Sequence, residues 1–323
     1  MPRFSILTPS FNRKEFLPKL INSLKEQNFN DFEWIIGNDG STDGTHDFLL
    51  EELSNINFPA TYIHADLRVG KSTIDNLLLD NASGEYLIWC DSDDFFLHDA
   101  LRNFSDEIDK RKINFSEDVY GVIAQNLDTA GATQTFNPSV NIPMDGVYSW
   151  EDIENFMVGD GTICIKKEVF INQRWPEVDF LIIESVLLRE LYHSKNFYFT
   201  SAVVKVMDRT AENSVSHGKT MQYCKGSAYA LAHTIGLQEF TKMSFLNRVL
   251  KTIHYFRYCI HGDIALMQSL SMWPVIFKKP YMISFYVISL VLAFYDIWRN
   301  KVEKTHVEFN QNKEVASINI QLF

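Results

Sequence analysis

Two aspartates, Asp91 and Asp93, lie one residue apart directly after a short apolar segment. Two carboxylates confined to one small region need a cation, and oxygen ligands favour Mg²⁺ or Mn²⁺. Such ions are usually held by one or two carboxylates together with substrate phosphates, and they offset the charge that builds up on a departing diphosphate. The two aspartates and the intervening Ser92 therefore predict a site for a divalent metal and a diphosphate. An acidic loop that begins the next helix is the alternative.

A third aspartate, Asp39, closes another apolar segment inside a run of turn-forming residues. A carboxylate there can accept the N–H of the uracil imide, a contact that adenine and cytosine do not provide in the same way. Two cations further along, Arg68 and Lys71, are expected near the diphosphate. A structural turn aspartate and solvated surface cations are the alternatives for these three residues.

The end of the first apolar segment carries a further candidate for nucleotide binding. Pro9 removes one backbone donor and restrains the chain. The backbone groups of this stretch are then expected to face a nucleobase, with Phe11 or Arg13 beside it. Taken alone, this stretch also fits an ordinary turn between a strand and a helix.

A general base is predicted on a later helix, at Glu184. Its neighbours at helical spacing are Leu187, Leu188 and Leu191, so the carboxylate lies on an apolar stripe. Partial burial disfavours the charged form and raises the pKa, which suits a general base. An ion pair with a neighbouring cation is the alternative, and Asp179 is the reserve candidate.

The elements that position these residues alternate between strands and helices over the first 125 residues. The predicted strands are Phe4–Thr8, Glu33–Gly37, Thr61–His64, Tyr86–Cys90 and Tyr120–Ala124, and the predicted helices are Lys14–Gln27, His46–Leu53, Ser72–Asn81 and Asp99–Lys110. Continuous apolar strands between helices indicate an α/β fold with a mostly parallel sheet flanked by helices. Ligands of such sheets bind outside the carboxyl ends of the strands, so the polar strand ends should converge on one crevice.

The rest of the chain is predicted to be more varied. A loop or small hairpin is expected from Gly131 to Val147, and further elements at Thr162–Ile165 (strand), Phe180–Tyr192 (helix) and Phe197–Met207 (strand). After about residue 218 the pattern is helical, and the tail after Lys304 is expected to be loosely ordered. We therefore predict a catalytic domain over 1–216, with a donor-binding half at 1–125 and an acceptor and base half at 126–216. A helical C-terminal region at 217–304 and a tail at 305–323 follow.

Charge and hydropathy separate the C-terminal third from the rest. The formal net charge of −11 argues against a nucleic-acid partner. From Lys242 to Lys304, however, nine Lys and Arg residues outnumber three acidic ones. The uncharged run Tyr281–Tyr295 is shorter than the roughly 20 residues needed to span a bilayer. Three alternatives are expected for this region: peripheral membrane contact through 275–301, contact with a second copy, or burial against the chain's own domain.

The four cysteines form no CxxC pair, and they are expected to be reduced core residues. The first residues form a predicted strand rather than a signal peptide. A cytoplasmic protein, peripheral at the inner face of the membrane at most, is therefore predicted.

Together, four stretches resemble the family 2 glycosyltransferases of the GT-A type, in their bacterial surface-polysaccharide branch. These stretches are Ile6–Arg13, Asp31–Gly44, Gly84–Tyr86 and Asp91–Asp94, and their order and spacing are specific. The resemblance extends over roughly residues 3–110 and more loosely to about 216. It implies a GT-A fold, Rossmann-like in its sheet, with a divalent metal and a nucleotide-sugar donor.

The resemblance also implies roles for individual residues. The uridine is assigned to Pro9, Ser10, Phe11 and Asp39. Asp91 is expected near the ribose, Asp93 on the metal, and Glu184 as the base of a direct displacement with inversion at the anomeric carbon. Two departures from the family pattern are Asn38, where an acid is frequent, and Ser185, where many relatives have Asp after the Glu.

The predicted function is metal-dependent transfer of a sugar from a UDP-sugar to a saccharide or lipid-linked acceptor. A sugar nucleotidyltransferase needs a glycine-rich phosphate loop after the first strand, and Leu7–Phe16 contains no glycine. A non-catalytic nucleotide-sugar-binding protein is the other alternative. The four acidic residues Asp39, Asp91, Asp93 and Glu184 argue against it.

Overall fold

The computed structural model describes fourteen stretches of the chain. They are residues 1–111, 119–133, 135, 145–157, 159–178, 180–182, 185–192, 195–208, 210, 221–236, 240, 243–273, 282–298 and 316–323. The strands are β1 (Phe4–Ser10), β2 (Phe32–Asp39), β3 (Ala60–Ala65), β4 (Tyr86–Trp89), β5 (Phe95–Phe96), β6 (Val119–Asp128), β7 (Gly146–Ser149), β8 (Thr162–Lys166), β9 (Asn196–Met207) and β10 (Ile318–Leu322). The helices are α1 (Leu17–Lys25), α2 (Thr45–Leu53), α3 (Lys71–Asn81), α4 (Ala100–Arg111), α5 (Trp150–Phe156), α6 (Ser185–Tyr192), α7 (Met221–Gly236), α8 (Phe245–His261), α9 (Leu266–Met272) and α10 (Met282–Trp298).

All ten strands belong to one sheet, in the order β10-β3-β2-β1-β4-β8-β6-β9-β5, with β7 paired to β9. The strands β3, β2, β1 and β4 run parallel, as predicted. A single helix connects each of these strands to the next, and such a crossover produces parallel pairing. Beyond β4 the sheet is mixed, because β8 runs antiparallel to both of its neighbours. The predicted α/β fold with flanking helices is confirmed, and its parallel part is the part that carries the predicted donor site.

The alternating apolar residues of the first strands form one core under the sheet. Phe4 and Ile6 of β1 and Trp34 of β2 are each 0% exposed. The Trp34 indole N–H donates to the Thr8 hydroxyl at 3.0 Å, so the largest core side chain has its polar atom satisfied. Helix α1 covers this face with an apolar stripe whose buried residues begin at Leu17.

Two predictions of local structure are wrong. The end of the tail is not loosely ordered, because β10 pairs antiparallel with β3 and Phe323 exchanges both backbone hydrogen bonds with Ala60. The alternation of Ile318, Ile320 and Leu322 carries the strand signal. Helix α6 begins at Ser185 rather than Phe180. Residues 181–182 lie instead against α7, where a Cβ on Gly226 would meet the Leu181 carbonyl oxygen at 1.8 Å.

The chain divides into two compact units. The first comprises Met1–Trp175, Glu190–Ala211 and Gln311–Phe323, and it contains the sheet. The second comprises Pro176–Arg189 and Glu212–Asn310. In its core, the hydroxyl of the fully buried Tyr255 donates to the Ser269 carbonyl at 2.6 Å. The division predicted at residue 216 stays a prediction.

All four cysteines are buried and free, as expected for reduced core residues. Within the described ranges, no helix combines the length and the hydropathy required to cross a bilayer.

Candidate active site

The acidic turn that follows β4 comprises residues 91–94, and the Asp94 N–H donates to the Asp91 carbonyl at 3.0 Å. Asp91 is exposed, Ser92 is buried and Asp93 is half-buried. Burial, assisted by the neighbouring carboxylates of Asp91 and Asp94, raises the pKa of Asp93 to about 6. The guanidinium of Arg13 opposes this shift from 3.5 Å away.

The donor set of this turn fits a divalent ion that is shared with a ligand. Among the residues that the structure describes, no three His, Cys, Asp or Glu side chains group together to hold a metal. Both oxygens of Asp94 are engaged, one by the Lys205 ammonium at 2.6 Å and one by the Asp208 N–H at 3.2 Å. Asp91 and Asp93 are therefore the two carboxylates of the turn that could ligate Mg²⁺ or Mn²⁺, and diphosphate oxygens would complete the coordination.

Asp39 lies at the carboxyl end of β2 and is 4% exposed. Its Oδ1 accepts hydrogen bonds from the N–H groups of Val69 (2.6 Å) and Gly70 (2.9 Å), just before α3. Burial raises the pKa of Asp39 to about 6, although these two N–H groups and Arg68 act in the opposite direction. One carboxylate oxygen is thus held by the backbone, and Oδ2 lies 3.7 Å from the Arg68 Nε.

Arg68 lies beside the residues predicted to bind the nucleobase, although the sequence predicted it only near the diphosphate. Its guanidinium carbon lies 3.9 Å from the centroid of the Phe11 ring, which is a cation–π contact. The same side chain faces Asp39, so it joins the loop after β1 to the end of β2. This contact was not predicted from the sequence; the available signal was that a buried carboxylate such as Asp39 needs a cation nearby.

The loops after β1 and β2 are bonded to each other. The Asn12 N–H donates to the Ser41 hydroxyl, and the Thr42 N–H donates to the Asn12 side-chain oxygen, each at 2.8 Å. Gly40 has φ +64°, and a Cβ at this position would lie 2.5 Å from the backbone of Leu67 and Arg68. A glycine is therefore required here by both the backbone conformation and the close approach.

Asn38, which replaces a frequent acid of the resembled family, has a structural role in the same loop. Its amide oxygen accepts the Ser41 N–H at 3.2 Å, and its amide nitrogen donates to the Tyr62 hydroxyl at 3.1 Å. The Tyr62 hydroxyl is also 2.9 Å from His46 Nδ1 of α2. An uncharged amide serves these partners without placing a second buried anion beside Asp39.

The remaining predicted nucleotide contacts have different surroundings. Pro9 is buried in β1 opposite Gly37 of β2. Ser10 is 3% exposed, and its hydroxyl has no hydrogen-bond partner within the described residues. A buried hydroxyl without such a partner is suited to form a hydrogen bond with a ligand. The Lys71 ammonium binds Asp75 one helical turn later in α3, at 3.0 Å.

The predicted base, Glu184, and its reserve, Asp179, both lie outside the described residues. The apolar stripe next to Glu184 is described, and Leu187 and Leu191 of α6 are 6% and 5% exposed. The structure thus brings Phe11, Arg13, Asp39 and the acidic turn to neighbouring strand ends. The roles of these residues and of Glu184 stay predictions.

A mixed α/β sheet with these polar strand ends is the architecture of a GT-A glycosyltransferase domain. Residues 5–170, just over half of the chain, match the model of glycosyl transferase family 2. The chain belongs to this family.

Two curated relatives are bacterial glycosyltransferases. The GalNAc(5)-diNAcBac-PP-undecaprenol β-1,3-glucosyltransferase of Campylobacter jejuni is 27% identical over 203 residues, which cover 62% of this chain and 63% of the relative. The putative teichuronic acid biosynthesis glycosyltransferase TuaG of Bacillus subtilis is 27% identical over 167 residues, which cover 52% and 63%. The chain therefore spans less than two thirds of the length of these relatives.

A solved structure with the same fold is S. aureus TarS 1–349 in complex with UDP-GlcNAc. The TM-score is 0.60 at 12% sequence identity, and the match covers 99% of this chain and 96% of that chain. At this identity the likeness is one of fold, and it confirms the predicted GT-A architecture.

Proposed function

We propose that this chain is an inverting glycosyltransferase that moves a sugar from a UDP-sugar to a saccharide or lipid-linked acceptor with the help of Mg²⁺ or Mn²⁺. One observation carries the proposal. Arg13, in the loop after β1, lies 3.5 Å from Asp93 of the acidic turn. The same loop is hydrogen-bonded to the loop that follows Asp39. The predicted nucleoside contacts and the predicted diphosphate contacts therefore adjoin, as a nucleoside diphosphate requires.

In this proposal, the uracil ring packs beside Phe11 and donates its imide N–H to Asp39. Oδ2 of Asp39 is suited to this bond because Oδ1 is already held by Val69 and Gly70. The buried hydroxyl of Ser10 adds a polar contact at the end of β1. The UDP-GlcNAc complex of TarS and the sugar-transferring relatives support a UDP-sugar as donor.

At the diphosphate, Asp91 and Asp93 would hold the metal, which supplies positive charge to the departing group. Arg13 and Lys71 add fixed positive charge there. Glu184 takes the proton of an acceptor hydroxyl, whose oxygen attacks the anomeric carbon from the face opposite the diphosphate. The bond between the anomeric carbon and the diphosphate oxygen breaks as the new bond forms, so the configuration inverts.

A panel of nucleotide sugars tests the proposal directly. Purified protein is incubated with UDP-, GDP- and ADP-sugars, with and without Mn²⁺, and thermal shift and donor hydrolysis are measured. We expect stabilisation and slow hydrolysis with UDP-sugars and Mn²⁺ only. Equal responses to all three bases would contradict the uridine site. Binding without hydrolysis or transfer would favour the non-catalytic alternative, and synthesis of a nucleotide sugar from a nucleoside triphosphate would favour a nucleotidyltransferase.

Uridine binding is expected to depend on the charge of Asp39. Asp39→Ala should weaken uridine binding by about 1–3 kcal/mol, the cost of losing a hydrogen bond to a charged group. Because burial raises the pKa of this carboxyl to about 6, the wild-type affinity should fall as the pH is lowered through that value. Calorimetry with uridine, which has no phosphate to titrate, measures both effects. An affinity that is independent of pH, or unchanged in Asp39→Ala, would refute this role.

We further propose that α10 docks on an anionic lipid surface. Its large apolar residues point outward, and Val291, Phe294 and Trp298 are 68%, 74% and 70% exposed. The one acidic residue of the helix, Asp296, faces inward and is 2% exposed. Asp296 is bound there by Arg257 of α8.

This arrangement is the reverse of a water-facing helix, which buries its apolar stripe and exposes its charges. Basic residues flank the run in the sequence, namely Lys278, Lys279, Arg299 and Lys301. Cations and aromatics beside an apolar helix suit the boundary of lipid headgroups. A helix of 17 residues is about 25 Å long, short of a hydrocarbon core of about 30 Å. The proposed contact is therefore peripheral, and a membrane-bound acceptor is supported by the C. jejuni relative, whose name includes an undecaprenol-linked saccharide.

Flotation with liposomes tests this contact. We expect the full chain to float with vesicles that contain anionic lipid, and the double variant Val291→Glu/Phe294→Glu to remain at the bottom. The matched control is Val147→Glu/Ile171→Glu, which places the same charges on exposed apolar residues of the first unit and should float. If neither the wild type nor the control floats, α10 does not bind the lipid surface. A dimer that the α10 variant dissociates would identify a second copy as the partner.

A further inference from the structure

The acidic turn holds three carboxylates, and each has a different environment. Asp91 is exposed, and Asp93 lies near Arg13. Asp94 instead forms an ion pair with Lys205 of β9, and the side chains of both partners are 9% exposed. Two charges this deeply buried are screened little by salt and are costly to separate. The pair therefore fixes one end of the turn to a strand from the second half of the sheet.

The backbone of β9 holds the turn at the same place. Strand β5, which begins directly after Asp94, pairs with β9 so that Phe96 lies opposite Lys205. The N–H of Asp208, the residue after β9, donates to the second oxygen of Asp94. The Asp208 carboxylate is in turn bound by Lys19 of α1 at 2.7 Å. Asp94 is thus fully satisfied within the fold.

We propose that Lys205 is a positioning residue for the metal and diphosphate site, and that it acts through Asp94; this inference rests on the proposed function. The buried ammonium cancels one of the three negative charges of the turn and withholds that carboxylate from a metal. Asp91 and Asp93 are then the two carboxylates that face the donor. Without Lys205, Asp94 is a buried anion without its cation, which is strongly unfavourable. The turn then rearranges to bring Asp94 towards solvent, which displaces Asp91 and Asp93 from the positions that suit the metal.

Direct metal binding tests this role, without relying on turnover. Lys205→Met removes the charge and keeps much of the length of the side chain. We expect the affinity of the UDP-bound protein for Mn²⁺, measured by calorimetry, to fall about 10–100-fold, a range typical of lost support for metal ligands. Uridine affinity, which depends on Asp39, should stay close to wild type. Lys205→Arg should restore most of the Mn²⁺ affinity. The control is Lys25→Met, which removes a partly exposed pair with Glu52 and should change neither affinity.

The route through Asp94 is tested by the double variant Lys205→Met/Asp94→Asn. It has neither charge of the buried pair, so it should bind Mn²⁺ more tightly than Lys205→Met alone. Unchanged Mn²⁺ affinity in Lys205→Met overturns the inference. So does a general defect, in which uridine affinity falls as much as Mn²⁺ affinity, the melting temperature also falls, and the double variant restores neither. A wild-type protein that binds no Mn²⁺ with UDP overturns the proposed metal site itself, and the inference with it.

Discussion

Glu184→Gln is expected to lower the rate of sugar transfer by about 10²–10⁴, the usual effect of losing a positioned general base. Glutamine has nearly the same size but cannot take the proton of the acceptor hydroxyl. Because the substitution acts on the displacement and not on the donor, the affinity for the UDP-sugar should stay near that of the wild type. Steady-state kinetics at saturating donor, together with a thermal shift by UDP, separate the two quantities.

The control for this variant is Glu168→Gln, which neutralises a glutamate whose side chain is 58% exposed. We expect normal kinetics from it. Turnover near the wild-type value in Glu184→Gln would transfer the role of base to another acid. Asp179→Asn should be measured in parallel, since Asp179 is the reserve candidate on sequence grounds.

Removal of the metal is expected to abolish transfer, and Asp93→Asn should reproduce much of that loss. Chelation with EDTA should stop turnover, and added Mn²⁺ or Mg²⁺ should restore it. Asp93→Asn keeps the shape of the side chain but removes the charge that binds a hard cation, so Mn²⁺ affinity with UDP should fall by about 100-fold or more. Titration of Mn²⁺ into the UDP-bound protein measures this change directly.

Asp106→Asn is the matched control, because Asp106 lies on α4 and is exposed. It should bind metal and UDP as the wild type does. Full activity in the presence of chelator would exclude a metal at Asp91 and Asp93. A drop in melting temperature in Asp93→Asn alone would indicate that the fold, and not the site, was changed.

The strands and helices of the first half were predictable because their signals are local. Strand β2 was predicted at Glu33–Gly37 and is observed at Phe32–Asp39. Strand β4 was predicted to end at Cys90 and ends at Trp89. In both cases an apolar run is followed by turn-forming residues, and this information lies within a window of about ten residues.

Strand β10 was missed because its stability depends on a distant partner. The alternation of Ile318, Ile320 and Leu322 is a strand signal, but it extends over only five residues, and all of them are exposed. What holds the strand is the row of backbone hydrogen bonds along β3, from Ala65 to Thr61. An edge strand of this kind depends on the unpaired N–H and C=O groups of the neighbouring strand as well as on its own short alternation.

The residue pattern was enough to predict that polar residues follow β1, β2 and β4, and that these strand ends meet at one edge of a parallel sheet. Side-chain type and spacing are sufficient for that, since parallel strands place their carboxyl ends together. The pairing of charges, in contrast, follows from the packing of the folded chain. Asp94 pairs with Lys205, and Arg68 contacts both Asp39 and the Phe11 ring. A buried carboxylate needs a cation, but the sequence does not distinguish which lysine or arginine of the chain is its partner. The close packing of the folded chain selects the one that lies within reach.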